Sequence, residues 1–194
     1  MSTLLDIISS TFIAGLLLLL VIKMNLFVSN ASFASDNELR MQQNAKTLAE
    51  ILNCDFRKIG YKHDGVSILI AESERFKFVG DLQRPGETGY GSIDTVEYFI
   101  RDSSYSLGTA NENDIILVRV LNSTDSITGA SLGLVKLNFS YLDSLSSPTI
   151  DLSLIKYIKT ELWVEPAEPV INFITGQNDS VFTYWEFTIY PRNI

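Results

Sequence analysis

Residues able to do chemistry are few in this chain and widely spaced. It has one histidine, His63, and one cysteine, Cys54, in 194 residues. Zinc sites built from nitrogen and sulfur draw three or four such ligands, so this composition excludes them. His63 stands between Lys62 and Asp64. A Ser-His-Asp hydrolase on an α/β scaffold would present its serine on a Gly-x-Ser-x-Gly elbow, and none occurs; His63 reads as a solvated loop residue. Asp94, Glu97, Asp102, Asp143 and Asp151 are the acids available to Ca²⁺. Their spacing is not that of an EF-hand loop, and they read as scattered, solvated carboxylates. Gly86, Gly89 and Gly91 flank Tyr90 without the strand-to-helix context of a phosphate cradle, and read as a flexible loop. The expectation is a protein without catalytic residues, metal or cofactor, and not an enzyme.

Charge and composition narrow the partners. The formal net charge is −8, with no basic run anywhere in the chain. Nucleic acid and anionic headgroups are poor partners for such a surface. Acidity of this kind keeps an exposed domain soluble. A lone cysteine allows no intramolecular disulfide. Cys54 lies in a helix pattern among apolar neighbours, which predicts a buried structural thiol; an intermolecular disulfide is the alternative.

One further acid, Asp6, is informative because of where it lies. It precedes an uncharged apolar run from Ile7 to Ile22 that includes Phe12, Leu16 and Leu20. As a helix the run spans about 24 Å, just short of a hydrocarbon core of about 30 Å. Snorkelling by Lys23 lets Met24 to Val28 extend the span. Ile7, Phe12, Leu16, Leu20 and Ile22 are the expected membrane-anchor positions. Three readings compete. Ser32-Phe33-Ala34 resembles a signal cleavage site, but no Lys or Arg precedes Lys23, which disfavours a secretory signal. A plain anchor gains nothing from Asp6, since an unpaired acid in a bilayer costs roughly 2.5–3.5 kcal/mol. A packing helix can use it against a positive group on a neighbouring copy. Lys23, Arg40 and Lys46 all follow the span, which by the positive-inside rule favours a C-terminal domain inside the cell.

Beyond the span the pattern changes twice. Ser29 to Ser35 is a bend or helix leaving the membrane. Asp36 is a candidate N-cap for an amphipathic helix to about Ile59, with Leu48, Ile51, Leu52, Cys54, Phe56 and Ile59 on its apolar stripe and Gly60 at its C-cap. After Tyr61 the sequence alternates at period two. Strands are predicted over Val66–Ala71, Arg75–Val79, Thr95–Arg101, Ile115–Leu121, Leu132–Leu142, Ile155–Val164 and Val181–Tyr190. No crossover helix is visible between them. The fold class is therefore α+β: a long N-terminal hydrophobic helix continuing into an amphipathic helix packed on one antiparallel sheet of six or seven strands. The expected division is residues 1–28 as membrane or assembly helix, 29–60 as amphipathic half, and 61–194 as β-rich head. Tyr184 and Trp185 are adjacent and must face opposite ways on a strand, one toward the core and the other toward an interface.

In order and spacing these stretches resemble the type IV pilin-like superfamily, closest to large minor pilins and the J-type minor pseudopilins of type II secretion. Ser2-Thr3-Leu4-Leu5-Asp6 resembles a mature pilin start, with Asp6 at the acidic position. Leu52 to Tyr61, with its Asp55-Phe56-Arg57 and Gly60-Tyr61, is similar to the late-helix motif of that subfamily. Asp94 to Tyr98, Val135 to Asp143 and Leu154 to Val164 resemble successive strands. Pilin precursors carry a basic leader ending in Gly, and a methylated aromatic first residue after it; here Met1 alone precedes Ser2. The resemblance implies a pilin-like fold and a structural subunit of a pilus- or pseudopilus-like filament, a minor component at its tip or initiation. It implies assembly through Asp6 and Ser2, and partners that are other pilin-like subunits, an inner-membrane assembly platform and the membrane itself. It places the C-terminal domain outside the cytoplasm, opposite to the charge rule, and then in an extracellular or periplasmic filament. The alternative is a single-span, membrane-anchored binding or sensor domain that does not polymerise; a membrane-tethered hydrolase ranks third.

Overall fold

The computed structural model describes residues 2–102, 104, 111–128, 132–168, 170–171, 178–179 and 181–194. Its element order is α1 (Ser2–Phe56), β1 (Ile68–Ala71), β2 (Arg75–Gly80), β3 (Asp94–Arg101), β4 (Ile116–Leu121), β5 (Asp125–Thr128), β6 (Leu134–Leu142), β7 (Tyr157–Val164), β8 (Val170–Ile171), β9 (Asn178–Asp179) and β10 (Thr183–Ile189). The α+β class is as expected. By internal contacts the chain divides into Met1–Leu39 and Arg40–Ile194.

The first unit is helix alone. α1 contains no proline and one glycine, Gly15, which a helix tolerates at a cost of about 1 kcal/mol relative to alanine. Helix continues through Ser29–Ser35, and Asp36 lies in mid-helix rather than at an N-cap. The hydroxyls inside the apolar run are satisfied locally. Ser10 donates to the Ile7 carbonyl at 3.0 Å and Thr11 to the same oxygen at 2.7 Å. Back-bonding of this kind removes most of the cost of a hydroxyl in an apolar surrounding.

The second unit begins where α1 acquires a buried stripe. Met41, Ala45, Leu48, Ala49, Leu52 and Phe56 are buried, at the i, i+4, i+7, i+8 spacing of one helix face. Ile51 and Cys54 belong to the opposite side and are exposed. The expectation of a buried thiol is thereby corrected: at 100° per residue, Cys54 lies about 200° from both Leu52 and Phe56. The helix ends at Phe56, before the expected Ile59, and Gly60 follows in a turn rather than capping it. Gly60 takes φ +71°, and its N–H donates to the Val79 carbonyl at 2.8 Å. A side chain there would lie 2.3 Å from the Asn193 carbonyl oxygen.

Two antiparallel sheets and a short β8–β9 ribbon follow, where a single sheet was expected. The larger sheet has the order β1-β2-β3-β4-β5, and the smaller β10-β7-β6. β6 meets the other sheet through isolated bonds rather than a ladder: Phe139 N–H to the Ser73 carbonyl and Ile115 N–H to the Leu134 carbonyl, both 2.7 Å. All seven predicted strands exist. β5, β8 and β9 were not predicted, because runs of two to four residues are too short to show a period.

Both sheets turn their apolar faces to the helix stripe. The Phe56 ring packs edge-on against Phe76 (5.1 Å between centroids), Tyr98 (5.8 Å) and Phe78 (5.9 Å), and tilted against Phe139 (5.9 Å). Three of these partners belong to the first sheet and Phe139 to the second, so one side chain joins all three layers. Phe56→Ala is therefore expected to lower stability by about 3–5 kcal/mol, whereas Cys54→Ser stays within about 0.5 kcal/mol. Denaturant titration of the full chain in detergent, read by Trp163 and Trp185 fluorescence, checks both.

Candidate functional site

The predicted assembly and anchor residues all fall on the exposed part of α1. Ile7, Phe12, Leu16, Leu20 and Ile22 are 45–68% exposed. Asp6 is exposed and has no ion pair among the described residues. Ser2 opens the helix, and its side chain lies outside the described residues. Within α1 the apolar segment is long and apolar enough to cross a membrane, a property that an anchor shares with a signal sequence.

The segment Asp55 to Lys62 is where helix becomes head, and nearly every residue in it has a distinct structural role. Asp55 Oδ2 accepts from the Tyr98 hydroxyl at 2.7 Å and from Arg119 Nε at 2.6 Å. Burial, followed by the Asp55 charge, pushes the Tyr98 hydroxyl far above its ordinary range, so it remains a donor. Burial acts to lower Arg119, but Asp55 outweighs it and the guanidinium stays charged. Arg57 Nε donates to Asn53 Oδ1 at 2.9 Å. Lys58 Nζ donates to the Leu82 carbonyl, and Ile59 is buried in the core. The Tyr61 carbonyl accepts from Asp81 N–H at 3.0 Å.

Lys62 continues this junction into the glycine-bearing loop. Its ammonium lies 3.0 Å from Asp81 Oδ2 and 3.3 Å above the centre of the Tyr90 ring. Asp81 is completely buried. It also accepts from Gly91 N–H at 2.9 Å and Gln83 N–H at 3.2 Å. Gly86, Gly89 and Gly91 all have φ near +90°, a region that side chains disfavour. They form a loop pegged at both ends to one carboxylate, an organisation that residue types alone did not disclose. Asp81 and Arg119 went unnoticed in the sequence because their partners are 19 and 64 residues away, beyond any local pattern.

The remaining candidates are kept apart. His63 is half-buried, with its ring close against Gly65. Asp94 Oδ1 accepts from Asn122 Nδ2 at 2.8 Å. Glu97 is neutralised by Arg75 at 2.5 Å and Lys77 at 3.2 Å. Asp143 and Asp151 accept backbone N–H groups of their own loop. Among the described residues no three His, Cys, Asp or Glu side chains gather as metal ligands would. On the outer face of β7 and β10, Lys159 bridges Glu161 and Glu186, both at 3.2 Å. The Tyr184 hydroxyl lies within hydrogen-bond distance of the same two carboxylates and donates its one proton between them, and its ring lies 5.0 Å from Trp163. Trp185 is on the other face of β10, in register with Leu162, and is 37% exposed.

These features define an α+β protein with one N-terminal helix of membrane-spanning length and a head locked to the helix end by an aromatic cluster and a partly buried ion pair. No protein-family model, curated protein or solved structure matches the chain.

The Asp81 peg has a pH signature. Burial acts to raise its carboxyl, but Lys62 and the two N–H groups outweigh that and hold it below the ordinary value of 3.8. A carboxyl depressed by folding contributes stability that is complete above its unfolded pKa and is lost as pH falls through the folded one. Below about pH 4, stability should fall more steeply with pH for the native chain than for Asp81→Asn. Acid titration of the two proteins monitored by circular dichroism checks this; parallel curves would remove Asp81 as the source.

Proposed function

We propose that this chain is a structural, non-catalytic subunit of a pilus- or pseudopilus-like filament, a minor component acting at its tip or initiation. It is held in a membrane by α1 until assembled. The observation that carries this reading is the form of α1. It has 55 residues, far more than the about 20 that a bilayer span requires. Its buried stripe begins only at Met41. Residues between the apolar run and that stripe are helical and almost wholly exposed, although nothing in the bilayer requires them to be helix. A helix with an unpartnered surface beyond its membrane-crossing length is suited to packing among copies of itself.

Asp6 supports the same reading. It is the one charge at the apolar end of a helix otherwise uncharged up to Lys23. An ion pair with a neighbour's terminal amine at about 4 Å is worth about 4 kcal/mol at an effective dielectric near 20, before desolvation. Heterologous contacts repeated along one screw axis give an open filament. The partners that follow are other pilin-like subunits, an inner-membrane assembly platform and the membrane, with the head outside the cytoplasm.

Asp6→Ala separates this function from that of a plain anchor. The head is expected to fold unchanged and the protein to remain in the membrane, while its recovery in sheared filaments or with co-purifying subunits falls at least about tenfold, the equivalent of about 1.4 kcal/mol. Unchanged recovery would remove the mechanism. Mass spectrometry of the mature N-terminus gives an independent check: a new terminus near Ser35 would mean that the helix is discarded as a signal.

A further inference from the structure

The loop between β6 and β7 exposes two large apolar side chains on a fixed backbone. Leu145 is 83% and Ile150 93% exposed. The loop is ordered before it meets anything. Asp143 Oδ1 accepts from the Leu145 and Ser147 N–H groups at 2.8 and 2.9 Å. Asp143 N–H donates to Ser147, Thr149 N–H to Tyr141 and Lys156 N–H to Leu142, at 2.8–3.0 Å. Leu142 and Pro148 form an isolated bridge. Holding apolar tips in water on a rigid loop costs little ordering entropy on binding. Asp151 stands beside Ile150 and uses one carboxylate oxygen on Ser153. The second oxygens of Asp143 and Asp151 have no hydrogen-bond partner among the described residues.

A complementary surface lies close by. A groove of about 600 Å³ runs between the end of α1 and β10, with Phe187 and Tyr190 along it and Arg57 and Arg192 at its rim. Both arginines are exposed. Neither has a carboxylate partner among the described residues, in a chain whose net charge is −8. The groove therefore offers two aromatic rings in a mixed polar lining and two unopposed cations where the loop offers apolar tips and two anions. Groove and loop lie at the same end of the smaller sheet, because Leu142 pairs with Tyr157 and Ile189 with Ile158. Each copy thus presents both surfaces at one end of the smaller sheet, where a twofold axis can bring loop to groove twice.

We propose that the Asp143–Asp151 loop of one copy seats in the Arg57–Arg192 groove of a second, and reciprocally, as an isologous head-to-head contact. An anionic membrane is the poorer occupant of the loop, since two carboxylates flank its tips. The contact is independent of filament assembly, and Asp6→Ala leaves it intact.

Two single-cysteine proteins test it, both full-length in detergent and carrying Cys54→Ser: one with Ile150→Cys, the other with Thr188→Cys on the groove wall. Mixed under mild oxidation, they should form a disulfide-linked heterodimer in at least about tenfold excess over either protein's own dimer. Arg57→Glu with Arg192→Glu in the groove protein should cut that yield about tenfold. Asp151→Lys in the loop protein should restore a substantial part of it. Absence of mixed dimers, or a yield indifferent to charge reversal, overturns the proposal. A fluorophore on Ile150→Cys that partitions into lipid vesicles while no mixed dimer forms overturns it in favour of a membrane-facing loop.

Discussion

The structure depends on one constraint: the last turns of α1 must be both the end of a helix and the centre of the head's core. Phe56 meets that constraint on the apolar side, with rings from both sheets around it. Asp55 meets it on the polar side, holding Tyr98 of β3 and Arg119 of β4 through a single oxygen. The two are adjacent in sequence, so apolar and polar anchoring are built on the same turn. A partly buried carboxylate with only one partner would be expensive; two charge-assisted hydrogen bonds offset the loss of water. Tyr98 serves both sides, with its ring against Phe56 and its hydroxyl on Asp55.

Much of this was legible in the sequence where the physics is local. The long helix, the turn glycine Gly60 beyond its end and seven strands came from hydropathy, turn chemistry and period-two alternation. The stripe was read only in part. Met41, Ala45 and Ala49 were passed over because small and flexible side chains do not stand out as core. Cys54 was placed inside because it stands between Leu52 and Phe56 in sequence, although two residues along a helix is more than half a turn around it. The division into two sheets was not legible, because it depends on where β6 stops pairing, and alternation says nothing of which neighbour a strand takes. The pegged loop was the least legible. Asp81 looks like any acid before a loop, and only the fold brings Lys62, Gln83 and Gly91 to it.

The acids illustrate a wider point about this chain. Read as types, Asp94, Glu97, Asp143 and Asp151 are interchangeable carboxylates that a cation could collect. In place they do different work: one is bound to Asn122, one is neutralised by two basic side chains, and two organise the backbone of one loop. Hydrogen bonds from fixed N–H groups stabilise the charged form as a cation would. The chain thus sets several of its acids against its own backbone or side chains, although Asp94 Oδ2 is buried without a hydrogen-bond partner among the described residues.

The way α1 enters its core also sets how the head bears load. A strand peeled from a sheet edge gives up its bonds one after another, and modest force suffices. Here a pull along the axis of the buried segment acts in shear. Met41, Ala45, Leu48, Leu52 and Phe56 lie along that axis on one face, and all their contacts must slip together. The edge-on rings around Phe56 and the Asp55 pair are at the far end of that track, so they resist until the whole stripe has moved. A segment seated in this way behaves as a wedged tether: tension on it is shared by the entire core before any part of the head unravels.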